Sequence, residues 1–302
     1  MATNQDKREG LVESRATFLP LCQYHFANRL SSHAKMKVFI VFAHPEPQSL
    51  TASLLKVAVQ ELEAQGHEVK VSDLYTMKWK SQVDREDFPQ YTADERLRVT
   101  KASAVATSSG TLTDDVKREQ EKLKWADFVI LQYLLWWYSM PAILKGWIDR
   151  VFSLGFAYGV GEHSASHWGD RYGEGILLGK RAMLVVTIGG WKEHYSARGI
   201  NGPLEHVLFP VTHGVLYYTG LEVLPSFAMY QSDRASDENF KQAAGELRQR
   251  MQNLFTARPI AYRRQNGGDY EIPALTLKPE LEDPNTAGFS LHSGGVDSAT
   301  ES

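Results

Sequence analysis

Met36-Lys-Val-Phe-Ile-Val-Phe-Ala-His44 is a continuous apolar run that ends in the turn Pro45-Glu-Pro-Gln-Ser49. A short apolar run bounded by turn residues reads as a strand buried on both sheet faces. Directly after it, Leu50, Leu54, Ala58 and Leu62 recur every four residues along one face of a helix, and Gly66 supplies a left-handed stop. His67-Glu-Val-Lys-Val-Ser-Asp-Leu-Tyr75 then alternates as a second, edge strand. The pattern is β-α-β, which pairs its strands in parallel through a right-handed crossover.

The same alternation continues downstream. Residues Thr76 to Gly110 are polar and irregular, longer than an ordinary connection, and read as a functional loop with short helices or as a mobile flap. A charged helix from Asp114 to Trp125 leads into the most apolar strand, Asp127 to Trp137, which belongs at the centre of the sheet. Pro141 opens a helix to Phe152 with Ile143, Trp147 and Val151 along one side. A glycine- and histidine-rich loop, Gly155 to Gly179, precedes a fourth strand, Lys180 to Gly190, and Leu221 to Phe227 is the fifth. The helix Ser236 to Ala257 closes the unit, apolar at Phe240, Ala244, Leu247, Met251 and Leu254.

These elements predict an α/β fold: a flavodoxin-like, doubly wound, five-stranded parallel sheet of order 2-1-3-4-5 with helices on both faces. Ligands of such folds bind beyond the carboxyl ends of the strands, at the switch between the first and third. Three connections meet there: His44 to Thr51, Leu134 to Met140 and Thr187 to Gly202. Residues 36–258 form the domain. Residues 1–35 are expected to be a disordered extension or an upstream start, with Asp6, Glu9 and Glu13 weakening a transit-peptide reading, and 259–302, rich in proline, glycine and charge, an extended arm or a disordered tail.

Composition bounds the function. With 302 residues and 43% hydrophobic content the chain can bury a large core, and a net charge of -3 offers no general field for nucleic acid. The single Cys22 excludes internal disulfides and cysteine-rich metal sites and fits the cytoplasm. No apolar run is long enough to span a membrane.

Each connection carries chemistry. At the first, a helix N-terminus with Ser49 and Thr51 suits a phosphate, although Ser49 could simply cap the helix. No G-x-G-x-x-G is present, which argues against a dinucleotide held in the Rossmann manner. The second, Leu134-Leu-Trp-Trp-Tyr-Ser-Met140, sets three successive aromatics past a central strand, where core filling and a wall for a planar ligand are the alternatives. In the third, Thr187-Ile-Gly-Gly190 allows close backbone approach and Tyr195 offers a hydroxyl donor; the alternative is a glycine turn with a surface tyrosine. Together the three suit a flavin.

At these residues the chain resembles the NAD(P)H:quinone oxidoreductases of the DT-diaphorase type, with similarity to bacterial members of the family. The likeness runs from about Lys37 to Pro259 and rests on Ala43-His44 with Ser49, Ser72-Asp73-Leu74-Tyr75, Phe88-Pro-Gln90-Tyr91, Pro141-Ala-Ile-Leu-Lys-Gly-Trp147, Phe156-Ala-Tyr158, Gly189-Gly190 and Tyr195-Ser196. It implies a homodimer that binds FAD in preference to FMN and reduces quinones, and by extension nitro or azo compounds, with NAD(P)H in a ping-pong reaction. By the same resemblance His44, Ser49, Leu50 and Thr51 surround the flavin phosphates, and Gln90 approaches the ribityl-diphosphate portion. Leu134, Leu135, Trp136, Trp137 and Tyr138 border the flavin, while Thr187, Ile188, Gly189, Gly190 and Tyr195 complete the ring site. Tyr195 and Asn201 are the implied catalytic pair, and Trp137, Tyr138, Asn201 and Tyr218 the implied substrate contacts.

The chain also departs from the pattern. Asn201 stands where the animal enzymes have a histidine; an amide hydrogen-bonds but cannot shuttle a proton. Trp136 takes a glutamine position, and Asn239 and Ala243 replace side chains of the adenine region. One branch of the family binds zinc, but of its ligand positions only His213 remains, beside Tyr217 and Ala261, so no metal is expected. Two rival readings are a regulatory flavoprotein subunit of a glutathione-gated potassium-efflux system and a one-electron flavodoxin-like shuttle. The second is disfavoured because electron carriers present a strongly charged docking face.

Overall fold

The computed structural model describes residues 35–91 and 94–294; the extension before Lys35 and the last eight residues lie outside this range. Strand β1 (Lys37–Ala43) is followed by helix α1 (Leu50–Ala64), β2 (Glu68–Asp73), α2 (Val99–Ser109), α3 (Asp114–Trp125), β3 (Phe128–Leu134), α4 (Ala142–Val151), β4 (Arg181–Thr187), α5 (Leu204–Val211), β5 (Glu222–Val223), β6 (Phe227–Met229) and α6 (Asp237–Gln252). The parallel sheet runs β2-β1-β3-β4-β5, the order the sequence predicts.

The predicted fifth strand is broken. Both β5 and β6 pair with β4, and the chain leaves the ladder between them at Leu224-Pro225-Ser226. Pro225 has no N–H to offer. The Ser226 N–H instead donates to Oε1 of Glu205 at 2.8 Å, and burial raises the pKa of that carboxyl.

Alternation along the strands divides the core between the two faces. Phe39, Val41, Val129, Leu131 and Leu184 face α3, α4 and the turns after α5, while Val38, Ile40, Phe128, Ile130 and Met183 meet Leu54, Leu62, Leu247 and Met251 of α1 and α6. The inward face of α4 is Leu144, Trp147, Ile148 and Val151, with Ile143 only partly buried.

One helix, α5, is absent from the sequence reading, and another, α2, answers to the short helices expected in the Thr76–Gly110 loop. α2 lies within the irregular Thr76–Gly110 stretch, buries Ala102, Ser103 and Ala106, and ends at Gly110 in the left-handed conformation. α5 contains Pro210 and loosens into a π turn over Thr212–Leu216 and a 3₁₀ turn over Tyr217–Thr219. The Thr76–Gly110 segment is clamped to the body by Arg150, which pairs with Asp87 at 2.8 Å and Asp115 at 2.7 Å. It also crosses α4 at Gly146, where a methyl group would strike the Ser81 backbone.

Beyond residue 258 the chain packs back on the body. The Ile260 N–H donates to the Val223 carbonyl at 2.7 Å, and Tyr262 and Gln265 are buried. A two-stranded hairpin, β7 (Tyr270–Glu271) and β8 (Thr276–Leu277), and a short turn at Gly288–His292 complete the described arm.

Candidate active site

Strand register brings the connections together. Ala43 is level with Tyr133, Leu134 with Thr187, and Thr187 with Met229, so the loops after β1, β3, β4 and β6 leave the sheet along one line. Three hydrogen bonds stitch them. The Thr51 and Thr187 hydroxyls share a buried bond of 2.7 Å, the Leu135 N–H donates to the Thr187 carbonyl at 2.9 Å, and the Tyr138 hydroxyl donates to Asn201 Oδ1 at 3.0 Å. Gln132, fully buried in β3, donates to the Thr51 carbonyl at 2.9 Å and fixes the start of α1 over the sheet.

In the first loop Ser49 caps α1 by accepting the Ala52 N–H at 3.1 Å, so its hydroxyl oxygen is engaged as a cap. The N–H groups of Leu50 and Thr51 make no hydrogen bond among the described residues. They leave an anion-ready helix start, where free donors and the helix dipole add. His44 Nδ1 lies 3.0 Å from the Glu46 N–H and 3.2 Å from the Glu46 carbonyl, and burial lowers the pKa of the imidazole.

The second loop is strained. Trp136 and Ser139 exchange both backbone hydrogen bonds, at 3.0 and 2.9 Å, around a two-residue turn in which Trp137 (φ 49°) and Tyr138 (φ 60°) are left-handed. Such turns favour Asn-Gly, because side chains with a Cβ cost about 1–2 kcal/mol per residue there. The result is exposed aromatic surface: Trp137 is 95% exposed and Tyr138 54%. Strain of this kind concentrates at ligand clamps.

The third loop runs through the 3₁₀ turn Lys192–Tyr195 and returns on itself, the Asn201 N–H donating to the His194 carbonyl at 2.9 Å. The Tyr195 ring lies over Gly190, where a methyl group would sit 3.1 Å from Cε2. Burial raises the Tyr195 pKa, the Tyr138 phenol adds to the rise and the Asn201 amide offsets part of it. Tyr195 is therefore a protonated donor at neutral pH, with Tyr138 and Asn201 completing a small hydroxyl-amide network.

Sequence reasoning overlooked the segment after β6. The Gln231 N–H donates to the Gly190 carbonyl and the Ser232 N–H to the Ile188 carbonyl, at 2.9 and 3.0 Å. This holds the Asp233 carboxylate so close that a methyl group on Gly189 would lie 2.5 Å from Oδ1. The glycine pair was the available signal: Gly189 is small because Asp233 approaches it.

Two predicted residues lie apart within the chain. Gln90 is exposed and donates to the Ala102 carbonyl at 3.3 Å on α2. Tyr218 meets Tyr172 edge-on at 5.0 Å and Arg171 at 5.9 Å, among residues of the Gly155–Gly179 loop. At one of the positions compared above with the zinc-binding branch, the Tyr217 hydroxyl donates to the Tyr262 carbonyl at 3.1 Å. One trio of ligand-type atoms, from His167, Asp170 and Glu174, gathers within 4.8 Å elsewhere in that loop. The 2.8 Å hydrogen bond between His167 and Asp170 and the Asn266-to-Glu174 bond of 2.6 Å account for its arrangement.

The free N–H pair, the exposed rings and the glycine floor beneath a tyrosine hydroxyl fit a flavin, and two buried polar atoms at the end of β3, Gln132 Oε1 and the Tyr133 hydroxyl, have no partner among the described residues. A doubly wound sheet with such a crevice defines a flavodoxin-like redox protein, and residues 36–251 match the family model described as Flavodoxin-like fold. A ribosyldihydronicotinamide dehydrogenase-like protein of Penicillium crustosum is 60% identical over 257 residues, covering 85% of this chain and 95% of its own. The human ribosyldihydronicotinamide dehydrogenase [quinone] is 39% identical over 228 residues, 75% of this chain and 95% of its own. A solved structure assigned provisionally as a quinone reductase, from Klebsiella pneumoniae, superposes with a TM-score of 0.83 at 54% identity, over 86% of this chain and 100% of its own. The glutathione-regulated potassium-efflux ancillary protein of Enterobacter matches less, 36% over 137 residues and 45% of this chain. The chain belongs to the flavodoxin-like NAD(P)H:quinone oxidoreductase family. Among the described residues, no helix is long and apolar enough to cross a membrane.

Proposed function

We propose that the three stitched connections hold one FAD and that the chain works there as a cytoplasmic homodimer. The enzyme class is that of its family, reduction of quinones by NAD(P)H, the activity named for a guinea-pig relative 32% identical over 263 residues, and the transfer is of two electrons. The observation that carries the site reading is the hydrogen-bonded convergence of Thr51, Thr187, Leu135, Tyr138 and Asn201 at the ends of three strands.

A bound flavin would supply the electron transfer between the two substrates. The chain's own residues do the rest. Leu50 and Thr51 offer their N–H groups to a phosphate, and Trp136, Trp137 and Tyr138 cover a planar ring and orient the molecule that stacks on it. Tyr195 holds a proton at its hydroxyl over Gly190, in position to donate a hydrogen bond where negative charge develops. Asn201 orients the Tyr138 hydroxyl and lies against that of Tyr195, and its amide hydrogen-bonds without carrying a titrating proton. For Gln90 and Tyr218 the assignment rests on the resemblance alone. The exposed rings of Trp137 and the 92% exposed Ile200 support a partner subunit against this rim.

The reading is tested by assaying purified, FAD-loaded protein for NADH and NADPH oxidation dependent on a benzoquinone. The expected result is quinone-dependent oxidation with parallel-line initial-rate kinetics and a dimer by sedimentation. A flavin-loaded protein that oxidises neither nucleotide would overturn it.

A further inference from the structure

Away from the three connections, the C-terminal arm and the turns after α5 enclose a cavity of about 310 Å³ lined by rings of Tyr172, Phe209, His213, Tyr270, Phe289 and His292. None of these residues belongs to the redox crevice. Four of the rings form a near-parallel column: Phe289 on Phe209 at 4.2 Å and 10°, Phe209 on His213 at 4.4 Å and 15°, and His213 on Tyr172 at 4.7 Å and 26°. The Tyr270 and His292 rings lie beside it, nearly parallel at 17°.

The polar groups of the lining divide into spent and free. Gln265 accepts from Arg171 at 2.7 Å and donates to the Trp168 and Gly169 carbonyls. Arg263 donates to the Leu291 carbonyl, and its charge is balanced by Asp269 at 2.8 Å. The Tyr270 hydroxyl is bonded to His292 Nδ1 at 2.9 Å. Both ring nitrogens of His213, Nε2 of His292 and the Tyr172 hydroxyl make no hydrogen bond among the described residues. Burial, with His292 nearby, lowers His213 to about 4, so its imidazole is neutral and offers one donor and one acceptor. A carboxylate or phosphate ligand would find the one guanidinium of the lining already paired with Asp269. A neutral hydroxyl, which both gives and takes a hydrogen bond, matches what is left.

We infer that this cavity is a second small-molecule site, taking a neutral planar aromatic of one or two rings that carries a phenolic hydroxyl, with His213 as the group that recognises the hydroxyl. The volume falls at the small end of ligand pockets, room for one such molecule. The site does not depend on the redox reading, because its recognition groups all lie outside the crevice.

The probe is 2-naphthol, titrated calorimetrically into the full-length, FAD-loaded protein and two variants. His213→Phe keeps the ring column and removes both nitrogens; Leu275, in the arm, also lines the cavity, and Leu275→Trp fills it while keeping His213. One equivalent per chain is expected to bind the wild type. Affinity is expected to fall about tenfold or more in His213→Phe and to be lost in Leu275→Trp, while all three proteins keep the same flavin content and quinone kcat/KM. No binding to the wild type, equal affinity in all three proteins, or one-for-one competition between 2-naphthol and quinone would overturn the proposal.

Discussion

The molecule has two groups of aromatic side chains, and they are built in opposite ways. Around the arm, Phe289, Phe209, His213 and Tyr172 stack on one another in a near-parallel column. At the crevice, Trp137 and Tyr138 are carried on a left-handed turn and face outward, Trp137 almost without protein contact. The first group gains stability from its neighbours. The second gives some up to keep flat apolar surface available, which is a cost that makes physical sense only if something covers it. The contrast separates rings held in place by stacking on one another from rings presented outward on a strained turn.

Truncation should expose the difference most strongly. Phe209→Ala opens the middle of the column and is expected to cost about 2–4 kcal/mol of unfolding free energy, whereas Trp137→Ala should stay within about 0.5 kcal/mol, both read by urea denaturation of the flavin-free protein. Equal costs would erase the distinction. On the crevice side, Tyr195→Phe is expected to slow flavin reduction by NAD(P)H about ten- to a hundredfold with flavin content retained. A wild-type stopped-flow rate would remove the hydroxyl from the reaction.

Acid conditions should act on the arm. The folded chain holds His213 at about 4 against an ordinary value of 6.5, so the unfolded state binds the proton more readily. The contribution is complete above pH 6.5 and is lost as pH falls towards 4. Melting temperature should therefore drop over that window, and less steeply in His213→Phe, where His292, also lowered by burial, remains. An identical slope in the variant would show that His213 is not the responsive group. In the crevice, Asn201→His should instead introduce a pH dependence of flavin reduction near neutrality, and a flat profile would uncouple that position from hydride transfer. The smallest effect is expected from Trp137→Gly, which relieves the left-handed strain and should leave melting unchanged or raise it slightly while weakening FAD retention. A clear loss of stability would mean that the turn is not strained.

How much of this the sequence discloses follows from where side-chain periodicity is strong. The strands Lys37–Ala43, Phe128–Leu134 and Arg181–Thr187 are apolar on both faces, so their identity, order and parallel pairing were legible, and with them the line along which the three connections converge. α2 was legible only as an unbounded short helix in the loop, because Val99, Ala102 and Ala106 are spread among polar residues, although Gly110 marked its end. α5 escaped because Pro210 lies inside it, and the π turn that follows, with Gly214, shifts the spacing of His213 and Tyr217 away from 3.6. The approach of Asp233 to Gly189 and the Trp136–Ser139 turn depend on backbone conformation, which residue type alone does not set. The break in the fifth strand was visible in Pro225, but the half-buried Glu205 that takes over from the ladder lies 21 residues from Ser226 in sequence.

The central claim is that the strand ends of this sheet carry an isoalloxazine ring. It is tested most directly by the visible spectrum of the purified protein, followed by heat release and chromatographic identification of the chromophore. The account predicts a yellow protein that releases FAD, one molecule per chain. A colourless protein that takes up neither FAD nor FMN on addition would contradict it.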